Sequence, residues 1–365
     1  MPSEAPLRIV IAGGGTGGHL YPGIAVAREI LSQRPDTDMS FAGTAAGIEA
    51  RVIPREQLPL DLIRSGGLKG KGAVGRLRGI GLLPLSAIDA WHVLALRKPS
   101  LVIGVGGYSS GPMVLLAALR RIPTLVLEQN AVPGLTNRLL APFVDAAAVT
   151  YDESLPYFRG KGFVTGNPVR SEFLRIAQEA DRAESPVTRV LVFGGSQGAH
   201  AINVAMVEAA PKLAVASERC ELALQTGERD LAMVREAFRR AGLQARVESF
   251  FYEMDREMSR ADLLVCRAGA TTLAELTAAG RPAILIPLPT ATDDHQRRNA
   301  EVLRRAGAVE VIDQRDLTGD ALAARILALV GDPARRNVMA AAARMLARPG
   351  AAARIAQRAL ALAGA

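Results

Sequence analysis

Two stretches of this sequence open alike. VIAGGGTGGH (10–19) and LVFGGSQGAH (191–200) are each an apolar run, a glycine-rich turn, then a small residue and a histidine entering a helical pattern. The first sits in IAGGGTGGHLYPG, where six of thirteen residues are glycine. A chain gives up that much backbone order only where it must turn tightly or let something approach closely. Around these starts, short Val/Ile/Leu runs alternate with helix-length segments. LRIVIAG, MSFAG, LVIGVGG and TLVLEQN read as strands in the first half, and RVLVFGG, LALQTG, LLVCRAG and AILIPLP in the second. Strands apolar along their whole length, each followed by a helix, indicate parallel sheets covered on both faces. The expectation is an α/β chain of two Rossmann-like, doubly wound parallel-sheet domains. A length of 365 residues fits two domains of roughly 150 residues each. Gly166, Asn167 and Pro168 offer a linker, which puts the domains at 1–167 and 168–350, with an Ala/Arg-rich helix over 351–365 packing back on the first.

Apolar residues at 49% allow large cores, and the two cysteines, Cys220 and Cys266, read as reduced buried thiols. MPSEAPLRIV runs into a strand without a secretory apolar region, and no apolar run approaches the roughly 18 residues that span a bilayer. A cytoplasmic chain is expected. The net charge of +8 calls for an anionic partner. Nucleic acid ranks last, because 4% aromatic residues leave few stacking platforms.

Gly13, Gly15 and Gly18 match G-x-G-x-x-G between a strand and a helix, the context of a dinucleotide site. Such a site also wants an acidic residue closing the second strand. Gly43 and Thr44 stand there instead, which weighs against a nicotinamide or flavin oxidoreductase. Further glycine turns, GVGGYSSGP (104–112) and GGSQGAH (194–200), follow later strands. Ligands of open α/β sheets bind beyond the carboxyl ends of the strands, so three such turns point to a ligand cleft between two facing domains.

GGGTGGHLYPGIAVA, GVGGYSSGP, EQNAVPGLTN, GNPVR, GGSQGA and CRAGATTLAEL with GRPAILIPLP and DDHQRRNA follow one another in this order. Together they resemble the MurG family of bacterial glycosyltransferases, over about residues 8 to 310. The resemblance implies the two-domain GT-B fold, with the domains facing across a cleft, the first serving the acceptor and membrane and the second UDP-GlcNAc. It implies inverting transfer of N-acetylglucosamine from UDP-GlcNAc to the MurNAc 4-hydroxyl of undecaprenyl-diphosphoryl-MurNAc-pentapeptide (lipid I), giving lipid II for peptidoglycan. No cofactor is implied, and no metal, since GT-B enzymes generally hold the diphosphate without one. Anionic membrane lipids and proteins of the cell-wall and division machinery are the further partners implied, at the cytoplasmic side of the inner membrane. A non-catalytic sugar-nucleotide or lipid-binding protein is the remaining alternative.

Carried onto this sequence, the resemblance makes His19 the candidate base, an imidazole suited to taking a hydroxyl proton near neutral pH. Thr16, Gly17 and Gly18 of the first turn, Arg170, and Ser196 with the amides after Gly194 and Gly195 suit the donor diphosphate. Glu275 suits the vicinal ribose hydroxyls, because a carboxylate accepts two hydrogen bonds in one plane. The Phe251 backbone matches the uracil-reading position, and His295 and Gln296 the sugar contacts, although the family often has Gln-Gln there. Tyr108, Glu128, Asn130 and again Thr16 are the acceptor candidates. Asp293, Asp294 and His295 could suggest a metal triad, but consecutive residues seldom converge on one ion.

Between residues 55 and 100, eight basic residues exceed the acidic ones by five. There Arg76 and Arg78 flank Ile80, Leu82, Leu83 and Leu85. A basic rim around an apolar patch suits an anionic membrane surface. The same pattern also fits a core helix with a solvated face.

Overall fold

The computed structural model describes residues 6–65, 81–178, 187–195, 198–291 and 294–364. It contains two compact units, residues 1–170 with 348–365, and residues 171–347.

The first unit is built on seven parallel strands: β1 (Arg8–Gly13), β2 (Asp38–Gly43), β3 (Leu60–Leu62), β4 (Leu101–Gly106), β5 (Thr124–Glu128), β6 (Ala146–Val149) and β7 (Gly162–Val164). They lie in the order β3-β2-β1-β4-β5-β6-β7. Ile9 stands beside both Met39 and Leu101, so β1 is central. Its helices are α1 (Gly17–Gln33), α2 (Glu49–Val52), α3 (Leu83–Arg97), α4 (Ser110–Leu119) and α5 (Leu135–Leu140). Successive strand residues point to opposite faces, and both faces are covered. Ile9 and Ile11 pack with Leu20, Ile24, Phe41 and Ile103 in one core cluster, and Val10 and Ala12 with Val102, Val114 and Val126 in another. That is why the strands read as unbroken apolar runs.

The second unit holds α6 (Ser171–Gln178), β8 (Thr188–Phe193), α7 (His200–Ala214), β9 (Cys220–Gln225), α8 (Leu231–Ala241), β10 (Ala245–Glu248) and α9 (Met254–Arg260). It continues with β11 (Leu263–Cys266), α10 (Ala270–Ala278), β12 (Ala283–Leu285), α11 (His295–Arg305), β13 (Val309–Val311), α12 (Gly319–Val330) and α13 (Pro333–Leu346). Its sheet is parallel, in the order β10-β9-β8-β11-β12-β13. The first six strands of the first unit follow the same winding, so the repeat in the sequence is a repeat of topology. Both cysteines are buried and unpaired, as composition suggested.

The eight strands expected from the sequence are all present. The five additional ones, β3, β6, β7, β10 and β13, have three or four residues each. Runs that short carry little pattern, and the alanines of β6 give no branched-residue signal.

The last helix, α14 (Ala351–Ala363), packs on α1 and belongs to the first unit. Ile355, Ala356 and Ala359 join the core cluster of Ile9 and Ile24. The segment leading to it is locked in place. Gly166, at φ +85°, lies so close to Arg348 that an added Cβ would sit 2.4 Å from the Arg348 Cβ. Arg354 donates to the Thr165 carbonyl at 2.5 Å. Ile355→Ala should lower the stability of the first unit by about 2–5 kcal/mol through cavity formation, read as an earlier first transition in urea unfolding.

Candidate functional site

Each sheet has one point where successive strands depart to opposite sides. It lies between β1 and β4 in the first unit and between β8 and β11 in the second. Crevices at the carboxyl ends of such strands bind ligands, and the glycine turns lie there.

In the first unit Gly13, Gly14 and Gly15 take φ of +139°, +140° and +82°. A Cβ on Gly13 would lie 2.3 Å from the Gly106 oxygen, and one on Gly107 2.5 Å from the Gly14 oxygen. The turns after β1 and β4 therefore meet backbone to backbone, and the Gly14 N–H donates to Gly106 O at 3.3 Å. His19 enters in the first turn of α1 with its ring against Gly106, where a Cβ would meet Cδ2 at 2.6 Å. Its Nδ1 lies 3.1 Å from Thr16 Oγ. Thr16 and Gly18 are exposed, Gly17 and His19 half-buried, and Tyr108 is exposed on the turn after β4. The first turn thus brings Thr16, Gly17, Gly18 and His19 together. Arg170, expected with the second domain, sits in the first unit, its guanidinium 4.2 Å from the Tyr21 ring centre.

Glu128, expected among the acceptor contacts, is interior. One carboxylate oxygen accepts from Asn130 N at 3.0 Å and Asn130 Nδ2 at 3.1 Å, the other from Gly134 N at 3.0 Å and Asn137 Nδ2 at 2.9 Å. Burial pushes its carboxyl up, and these four donors pull it only part of the way back. It shapes the loop that carries Asn130.

Glu49 gave no signal in the sequence. Its side chain is fully buried, and one oxygen accepts the Gly15 N–H at 2.8 Å. The other accepts Thr44 N at 2.8 Å and the Thr44 hydroxyl at 2.9 Å. The acid that the end of β2 lacks therefore arrives six residues later and turns inward onto the loop.

In the second unit Gly195 and Gly198 take φ of +90° and +73°, and a Cβ on Gly198 would overlap the Thr226 carbonyl at 1.8 Å. Ser196 and Asp293 lie outside the described residues. Gln225, a further residue the sequence did not single out, is buried at the end of β9. Its amide donates to Gly195 O and accepts from Phe251 N, each at 2.8 Å. One side chain thus ties the glycine turn to the loop carrying Phe251. That ring is buried, and its backbone N–H is committed to Gln225. Glu275 lies midway along α10, buried and near Cys266 at the end of β11. His295 is half-buried at the start of α11, and Gln296 Oε1 accepts Leu288 N at 2.9 Å, which leaves its Nε2 as donor. Among the described residues no three His, Cys, Asp or Glu side chains cluster as a metal site requires.

Arg76, Arg78 and Ile80 fall outside the described residues. Leu83 is exposed, and Leu82 and Leu85 are half-buried. α3 presents Ile88, Trp91 and Leu96 outward as well, and the Arg120 guanidinium lies 4.7 Å from the Trp91 ring centre.

This architecture, two parallel sheets of one winding with glycine turns at their switch points, is that of GT-B glycosyltransferases. Residues 9–149 match the N-terminal domain of glycosyltransferase family 28, and residues 189–356 its C-terminal domain. The chain belongs to glycosyltransferase family 28, and within it to the MurG transferases. It is 48% identical over 351 residues to the UDP-N-acetylglucosamine--N-acetylmuramyl-(pentapeptide) pyrophosphoryl-undecaprenol N-acetylglucosamine transferase of Anaeromyxobacter sp. (strain Fw109-5), covering 96% of this chain and 92% of the relative. Identity to the protein of the same name from Geobacter sulfurreducens is 46% over 346 residues, covering 94% and 95%. The crystal structure of Acinetobacter baumannii MurG superposes with a TM-score of 0.76 at 29% identity, covering 98% of this chain and all of that one.

Glu128→Gln should test the loop assignment. Its amide would face N–H donors where an oxygen now accepts two. A loss of about 1–3 kcal/mol is expected, with faster amide exchange over residues 129–137, read by hydrogen exchange and urea unfolding.

Proposed function

We propose that this chain transfers N-acetylglucosamine from UDP-GlcNAc to the MurNAc 4-hydroxyl of lipid I with inversion, yielding lipid II. The observation that carries the reading is a family 28 chain whose two sheets both end in glycine turns, each followed by a histidine in the first turn of a helix. The first unit serves the acceptor and the second the sugar nucleotide.

Inversion by single displacement needs a base at the attacking hydroxyl and donors for the departing diphosphate. His19 fits the first role. Its Nδ1 pairs with the Thr16 hydroxyl, which orients the ring, and in the tautomer with the hydrogen on Nδ1 the base would be Nε2. The glycine turn leading into α7 supplies backbone N–H groups at a helix N-terminus, which favours phosphate oxygens. In the first unit Arg170 offers a guanidinium, a group suited to phosphate oxygens. Glu275 holds the ribose hydroxyls, the Phe251 carbonyl reads the uracil edge, and the Gln296 amide and His295 contact the sugar. Tyr108 and Asn130 flank the acceptor.

No helix among the described residues is long and apolar enough to cross a membrane. The exposed Leu83, Ile88, Trp91 and Leu96 beside Arg120 support peripheral attachment to an anionic bilayer at its cytoplasmic side, where a lipid-linked acceptor would be met. Proteins of the cell-wall and division machinery are its proposed neighbours there.

Radiolabelled GlcNAc transfer to a lipid I analogue tests the activity, and its absence in folded protein refutes the reading. Glu275→Ala should raise the UDP-GlcNAc KM about tenfold or more, the effect of losing a charge-assisted hydrogen bond, while unchanged donor kinetics would remove Glu275 from the site. Membrane attachment is tested separately with Ile88→Ser/Trp91→Ser. Each side chain is worth about 1.5–3 kcal/mol when fully buried, so co-sedimentation with anionic vesicles should fall at every salt concentration. Turnover of a water-soluble, short-chain acceptor should stay at the parent's level. Arg120→Gln should weaken vesicle binding mainly at low salt, where screening is slight.

A further inference from the structure

Glu49 is an unusual residue to find fully buried, since carboxylates are rarely interior unless paired. Among the described residues its charge is met by dipoles alone, namely the Gly15 and Thr44 amides and the Thr44 hydroxyl. The space it occupies is shaped around it. A Cβ on Gly14 would come 2.6 Å from its Oε2, one on Gly43 2.5 Å from its Cγ, and one on Gly47 2.2 Å from both oxygens. Three glycines from two loops thus leave room for one side chain, and a chain that needed only a tight turn would not need all of them.

What that side chain holds is specific. Gly15, at φ +82°, is exposed at the tip of the turn and is followed by Thr16, the residue preceding α1. The His19 N–H donates to the Thr16 carbonyl at 3.2 Å, and the His19 ring pairs with the Thr16 hydroxyl. Fixing the Gly14–Gly15 peptide fixes where Thr16 begins, and with it both contacts that orient the imidazole. We propose that Glu49 is a positioning residue for the transfer reaction, its carboxylate setting the glycine turn so that Thr16 and His19 hold their working geometry. It touches no substrate. Only a group that accepts on both sides serves here, because all three of its partners present hydrogens.

The activity arm of the test rests on the transferase reading above, and a spectroscopic arm does not. In the full chain, Glu49→Gln keeps the volume but sets an NH₂ group against either the Gly15 or the Thr44 amide. The expected result is a fall in kcat of about ten- to hundredfold, the cost of a buried unmet donor converted to rate. UDP affinity, governed by the second unit, should stay within about twofold. The Gly15 amide and His19 imidazole resonances should move together. Gly47→Ala, which crowds the same carboxylate without removing it, should reproduce both effects, and it decides the matter if Glu49→Gln does not fold. Parent-like kcat with unmoved His19 resonances in a folded variant overturns the proposal, even if its melting temperature drops. If the parent transfers no sugar, the transferase reading fails, while unmoved or moved resonances still decide whether Glu49 sets the histidine.

Discussion

The structure depends on holding its glycine turns still. A glycine turn at a strand's carboxyl end lets backbone and ligand approach closely, yet glycine gives it no rigidity of its own. Here that rigidity comes from buried polar side chains reaching in from neighbouring segments. Glu49 accepts from the turn after β1, Gln225 donates to the turn after β8, and Glu128 gathers four N–H groups from the loop after β5 and from α5. Each bond lies in low-dielectric surroundings, where a satisfied contact rigidifies and an unmet one is costly. The chemistry of each strut follows from its partners. The two carboxylates meet only hydrogens, whereas Gln225 must donate on one side and accept on the other, which only an amide does without penalty.

The glycines and the struts were not equally legible. Turns at Gly13–Gly15, Gly106–Gly107 and Gly195 could be read because positive φ restricts the residue type, so the constraint is local and written in composition. The central strands could be read for a similar reason, since burial on both faces makes them apolar throughout. Glu49 lies 34 residues from Gly15, and in sequence it resembles the acidic first turn of an exposed helix. Nothing nearby marks it as interior. Glu128 was visible but misplaced, because EQNAVPG shows a carboxylate at a strand end without showing that Asn130, Gly134 and Asn137 fold back over it. Arg170 followed a linker signal correctly, but the signal could not tell which unit would take its guanidinium. Pairings over long separations are set by packing, and one sequence does not display packing.

The two histidines of the internal repeat show what repetition of a topology does and does not carry over. His19 and His200 both stand in the first turn of the helix that follows a glycine turn. His19 pairs with the Thr16 hydroxyl, three residues away on its own turn. His200 pairs with Asp230, its Nδ1 3.0 Å from both carboxylate oxygens. Burial alone would push the Asp230 carboxyl up, but Asn203 and the His200 ring, with Arg229 nearby, outweigh it and hold it below the ordinary carboxylate range. The second unit therefore gives its histidine an anchored carboxylate, while the first sets its histidine beside a hydroxyl on its own turn. The transfer proposed above takes its base from the first unit, at His19, while His200, held by Asp230, belongs to the scaffold around the second glycine turn.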